Sequence, residues 1–166
     1  MRLSDHPVRQ NSWSDPNASE TRIPKSEIGL ENMLNYAMVY CVTAVVFLGI
    51  DFVWLSRIAR DFYFSRLGDQ LLAQPRLGAA AAFYLVYVAG IVIFAIAPAL
   101  KADSARLVIF LGAFFGLVAY ATYDMTNYST LRNWPLSVVV VDTAWGTFLT
   151  ALSAFAGFHA GRLITQ

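Results

Sequence analysis

Four apolar blocks, each about as long as a bilayer-spanning helix, limit what this chain can fold into. They run from Met33 to about Leu55, from Leu77 to Leu100, from Leu107 to about Tyr128, and from Leu136 to Phe158. A hydrocarbon core about 30 Å thick takes roughly 20 apolar residues in a helix, and helices are one of two backbone forms that satisfy their own hydrogen bonds there. The chain has 166 residues, of which 57% are hydrophobic and 14% charged; soluble domains hold about 45–50% and about 25%. A soluble core of this size has no room for such blocks. The fold expected is all-α and integral to the membrane, a multi-pass bundle of four transmembrane helices over residues 33–166.

The flanking and linking segments differ in character. Residues 1–32 are rich in Ser, Asn, Asp and Glu and carry Pro7, Pro16 and Pro24. Such a segment buries too little to offset ordering entropy, so a disordered N-terminal tail is expected. It has no apolar core or cleavage site of a signal peptide, and Met33 offers an alternative start. Between the first two spans, Leu55, Ile58, Ala59, Phe62, Tyr63, Leu67 and Leu71 recur at three- and four-residue steps with Arg57, Arg60 and Asp61 among them. That spacing predicts an amphipathic interfacial helix between spans one and two. Pro98 marks the expected end of span two, and Trp134-Pro135 the turn of a tight hairpin between spans three and four. Basic residues are balanced across the two sides once Arg22 and Lys25 are counted, which leaves the orientation open. Cys41 lies inside an apolar run and reads as a small apolar helix residue.

The polar residues within the spans are unevenly placed. Asp51 is near the end of span one, Asp124 near the end of span three, and Asp142 near the start of span four. Spans one and three run parallel and span four opposite, so all three carboxylates fall in one leaflet. Each costs about 2.5–3.5 kcal/mol at a helix centre on insertion scales, less near the ends. Gly112, Gly116, Tyr120 and Asp124 follow at steps of four, with Tyr123 and Asn127 close to Asp124. The two glycines offer a face for close helix approach, and with it a homodimer. Asp51 and Trp54, like Asp142 and Trp145, are spaced Asp-x-x-Trp. Taken singly, each is explained by solvated ends, caps or an aromatic belt. Together they point to a polar site in which close carboxylates share at least one proton, an arrangement suited to acid–base chemistry or to a cation.

Several chemistries are demoted. No lysine lies within a span, and His159 is the one histidine near a span, so a retinal-type Schiff base and bis-histidine haem ligation are not expected. No nucleophile elbow, His-Glu-x-x-His helix or phosphate-cradling loop is present. A net charge of +1 gives no reason to expect a nucleic-acid partner. No cofactor is implied, and a divalent ion held by the three Asp residues with Asn127 is a minor alternative.

From Met33 onward the chain resembles a bacterial family of membrane proteins catalogued as domain of unknown function 2177. The resemblance rests on Leu48-Gly49-Ile50-Asp51-Phe52-Val53-Trp54-Leu55, on residues 116–127 from Gly116 to Asn127, and on Trp134-Pro135 with Val141-Asp142-Thr143-Ala144-Trp145-Gly146. It implies a four-helix protein of the bacterial inner membrane and implies no activity. The functional reading favoured is lipid binding or lipid modification, as enzyme or accessory factor. In it Asp124 and Asp142, with Asp51, form the acid–base or headgroup-binding group; Asn127, Tyr123, Tyr120, Trp145 and Trp54 support them, and Arg57 and Arg60 contact membrane lipids through phosphates. The alternatives are a small proton- or cation-coupled transporter and a structural partner of another membrane protein.

Overall fold

The computed structural model describes residues 25–72 and 74–164. Four helices in it are long and apolar enough to cross a membrane, Gly29–Ile58, Leu77–Lys101, Ala105–Thr130 and Leu136–Ile164; no strand is present among the described residues. The helix α1 (Lys25–Val53) continues through a π turn at Trp54–Ile58. A short α2 (Arg60–Leu67) follows, then α3 (Leu77–Ile91), a second π turn at Val92–Ile96, and α4 (Ala97–Lys101). The last two spans are α5 (Ala105–Thr130) and α6 (Leu136–Ile164).

Three boundaries depart from expectation. The first helix begins at Lys25, so residues 25–32 of the expected tail are helical; residues 1–24 lie outside those described. Span two does not stop at Pro98. It runs on to Lys101, and the π turn before Pro98 absorbs the conflict between its ring and the carbonyl four residues back. The interfacial helix is shorter than its pattern suggested: Leu55 and Ile58 belong to the π extension of span one, and α2 ends at Gly68. Gly68 sits at φ 48° and ψ −121°, a region open essentially to glycine.

Packing follows the small residues. Gly112 of α5 is set against Ala154 and Ala151 of α6, and Gly116 against the Gly146 carbonyl and Thr150. The Gly112/Gly116 face is buried against α6 of the same chain. Close approach without a side chain between the backbones is what two glycines a turn apart permit. On its other side α6 meets α1, where Gly157 lies against Thr43 and Gly161 against Val39. Phe47, Ile91, Ile96, Leu149 and Phe158 fill the centre with no exposure. Outside, Val45, Phe52, Val86, Phe94 and Leu163 are exposed, a surface suited to acyl chains rather than water.

The hairpin between α5 and α6 turns at Trp134-Pro135. Ser104 caps the other end of α5, its hydroxyl accepting from the Leu107 N–H at 3.3 Å. On the hairpin side, Arg66 of α2 donates to Ser137 at 3.0 Å and stacks over Phe62 at 3.9 Å, while Gln70 donates to the Asn133 carbonyl. The loop-one helix is thereby fastened over the ends of α5 and α6, which closes that end of the bundle above the three carboxylates.

Candidate functional site

Asp51, Asp124 and Asp142 converge. Asp51, 5% exposed, accepts from the Tyr84 hydroxyl at 2.7 Å through Oδ2 and from the Trp145 indole N–H at 3.2 Å through Oδ1. Asp142 accepts a short hydrogen bond from Tyr63 of α2. Asp124 is fully buried; its Oδ1 accepts from the Trp134 indole at 3.4 Å, its side chain neighbours that of Asp142, and its Oδ2 has no partner. Two carboxylates cannot donate to one another unless a proton lies between them, so the Asp124–Asp142 contact is a place for one.

The two Asp-x-x-Trp segments cross in space. Trp54 and Trp145 stack with ring centroids 4.1 Å apart and planes 11° from parallel. Because α1 and α6 run antiparallel, the tryptophan of one segment reaches the aspartate of the other: Trp145 donates to Asp51, and the Trp54 indole faces the Tyr63 hydroxyl that serves Asp142. The second half is incomplete, for the Trp54 N–H is near Tyr63 but makes no hydrogen bond of good geometry. Burial pushes the Tyr63 phenol well above its usual range, the Asp142 charge adds to this, and the hydroxyl therefore remains a donor across physiological pH.

A cavity of about 360 Å³ opens beside the two tryptophans, its wall including Asp51, Phe83, Tyr84, Tyr120, Asp142 and Trp145. All four spans contribute to it. Phe83 is 53% and Tyr123 57% exposed, and both lie on its rim between α3 and α5. The backbone of the second span comes close to α5 chiefly at the π turn, near the bundle centre, which leaves the cavity open sideways. A second cavity, also about 360 Å³, lies under the loop-one segment and shares Leu55, Tyr123 and Asp142 with the first; Arg60, Tyr63 and Trp134 line it.

Most residues singled out from the sequence meet here. Asp51, Asp142, Tyr120, Tyr123 and Trp145 line the first cavity, and Trp54 and Asp124 back it. Asn127 stands beside the Tyr123 hydroxyl, with no hydrogen bond to a carboxylate. Arg60 lies over the Phe64 ring at the rim of the second cavity, and Arg57 is exposed and lines neither cavity. Sequence reasoning missed Tyr84 and Tyr63, which hold Asp51 and Asp142, and read Trp134 only as part of a turn. A signal for Tyr84 was present: it is a hydroxyl two turns into an otherwise alanine- and valine-rich span, in the leaflet of Asp51. Among the described residues no three of His, Cys, Asp and Glu are grouped to hold a metal ion.

A family described as predicted membrane protein, domain of unknown function 2177, matches residues 36–159. That stretch contains every helix wall of the first cavity. No curated protein and no solved structure shows significant similarity to the chain.

Proposed function

We propose, for a chain that belongs to this family of predicted membrane proteins, that it binds the polar end of a membrane amphiphile in the carboxylate–aromatic cavity, as a lipid-binding or lipid-modifying protein of the bacterial inner membrane. The observation that carries the reading is a cavity within the membrane-spanning segments whose deep wall holds Asp51 and Asp142 and whose rim is Phe83 and Tyr123. A lipid entering between α3 and α5 keeps its chain among apolar residues while its polar end meets the carboxylates. In this reading Asp142 and Asp124 move or share a proton, Asp51 and the tyrosines orient the ligand, and Arg57 and Arg60 lie with lipid phosphates at the interface. Transport has less support. Phe47, Ile91, Leu149 and Phe158, none of them exposed, separate this cavity from the groove at the opposite end near Asn35, Tyr36 and Arg162.

Filling the cavity tests the proposal. Ala119 lies on its wall and Met125 faces outward on the same helix. The full chain purified in mild detergent is expected to retain a bound amphiphile by native mass spectrometry, and Ala119→Trp to lose it at least five-fold. Ala119→Leu should lose it partly and Met125→Trp not at all. An unchanged complement in a folded Ala119→Trp protein would overturn the reading.

A further inference from the structure

Resting on that reading, we propose that the group taken by the cavity is an organic ammonium ion. None of the three membrane-depth carboxylates is met by a cation: among the described residues the ion pair formed is that of Arg162 with Asp103, at the opposite end of the bundle. Their partners are neutral donors instead, Tyr84 and Trp145 on Asp51, Tyr63 on Asp142 and Trp134 on Asp124. Asp124 lies beside Asp142 with no exposure and with no hydrogen bond on its Oδ2, so the pair keeps one negative charge even with a proton shared between them. A carboxylate in a low dielectric without a counter-charge is costly, and a positive ligand supplies what the chain does not.

The walls fit the same ligand. Phe83, Tyr84, Tyr120 and Trp145 surround the space between the carboxylates, and aromatic faces attract ammonium groups, most strongly where water is excluded. No lysine or arginine lines this cavity, so a phosphate or carboxylate headgroup placed there meets like charge with nothing to offset it. Its volume of about 360 Å³ is at the small end for ligand sites, which run from about 300 to about 1,000 Å³. That suits a substituted amine with a short apolar portion, or the amine end of a lipid whose chains remain outside.

The test uses three small probes of one shape: benzyltrimethylammonium, its uncharged carbon isostere neopentylbenzene, and benzylphosphonate as the anion. The full chain in maltoside detergent is titrated by calorimetry. The ammonium should bind saturably, at least ten-fold more tightly than either of the others. Asp142→Asn should weaken it at least ten-fold with the thermal transition retained, and Ala119→Trp should abolish it. Equal binding of neopentylbenzene would overturn the ammonium assignment and leave the amphiphile cavity standing. Tighter binding of the phosphonate would overturn it in favour of an anionic headgroup. Failure of all three probes to bind overturns it as well, and if Ala119→Trp also leaves the co-purified amphiphile unchanged, both readings fall. The source of the amine is read in nanodiscs. If replacing a neutral glycolipid by phosphatidylethanolamine in discs of constant phosphatidylglycerol content weakens the probe, a lipid amine competes for the site, and equal affinity in the two assigns the site to a free ammonium compound.

Discussion

Gly146→Ala should destabilise the protein by about 1–3 kcal/mol or more, the range for forcing extra volume into a packed interior, although it adds one methyl group to a helix. A Cβ at this position collides with Cγ, Cδ1 and Cδ2 of Tyr120, the ring atoms nearest that residue's own backbone. Rotating the ring away is no remedy, because its root is what collides. Titration with sodium dodecyl sulfate, followed by loss of helix or of activity-independent tertiary signal, measures the change. Two further variants show whether the collision is the cause. Gly49 has nothing within 4 Å of a built Cβ, so Gly49→Ala should be neutral or stabilising by up to about 1 kcal/mol, as helix propensity alone dictates. Combined with Tyr120→Ala, the Gly146→Ala penalty should largely disappear, a coupling that independent sites do not show. A Gly146→Ala protein as stable as the parent would mean that α5 and α6 do not approach through Tyr120 and Gly146.

Asp51→Leu should be nearly as damaging, and for the opposite reason. Nothing is overfilled; two half-buried donors lose their acceptor. Tyr84 and Trp145 both donate to Asp51; an orphaned buried group costs about 1–3 kcal/mol, and these half-buried donors fall at the lower end of that range. Asp51→Asn keeps an acceptor oxygen for one of them, so its loss should be about half as large in the same titration. Tyr84→Phe in the Asp51→Leu background should recover part of the deficit, since it removes one orphan. If the leucine and asparagine variants are equally stable, the two hydrogen bonds contribute nothing in a bilayer, and the ordered wall of the cavity loses its support.

The parts of this structure legible in the sequence are those that depend on length and depth alone. Apolar runs of bilayer length announce the four spans. The alternation of their direction brings Asp51, Asp124 and Asp142 into one leaflet, because depth along a helix is set by residue count. Rotation about the helix axis is another matter. Gly112 and Gly116 mark a face that another helix approaches closely, but a groove of that kind is the same whether the partner is α6 or a second chain, and the structure fills it with α6. Tyr84 went unread because span two carries no charge to draw notice, and Tyr63 because the loop-one pattern suggested a helix lying on the membrane surface. In fact α2 tilts Tyr63 inward to Asp142. The early start of α1 at Lys25 was hidden by polar composition, which describes what a segment can bury rather than whether a helix already begun extends through it.

The parallel indoles of Trp54 and Trp145 have an optical consequence. Two identical chromophores held in van der Waals contact at a fixed angle couple their excitations, so the folded protein should carry a dichroic couplet at the strong far-ultraviolet band of indole that neither ring produces alone. Because one ring rides on the π extension of α1 and the other on α6, that couplet reports the sliding of those two helices past each other. Replacing either tryptophan with phenylalanine should extinguish it, and any ligand that parts the rings should dim it in proportion to occupancy, with no label attached.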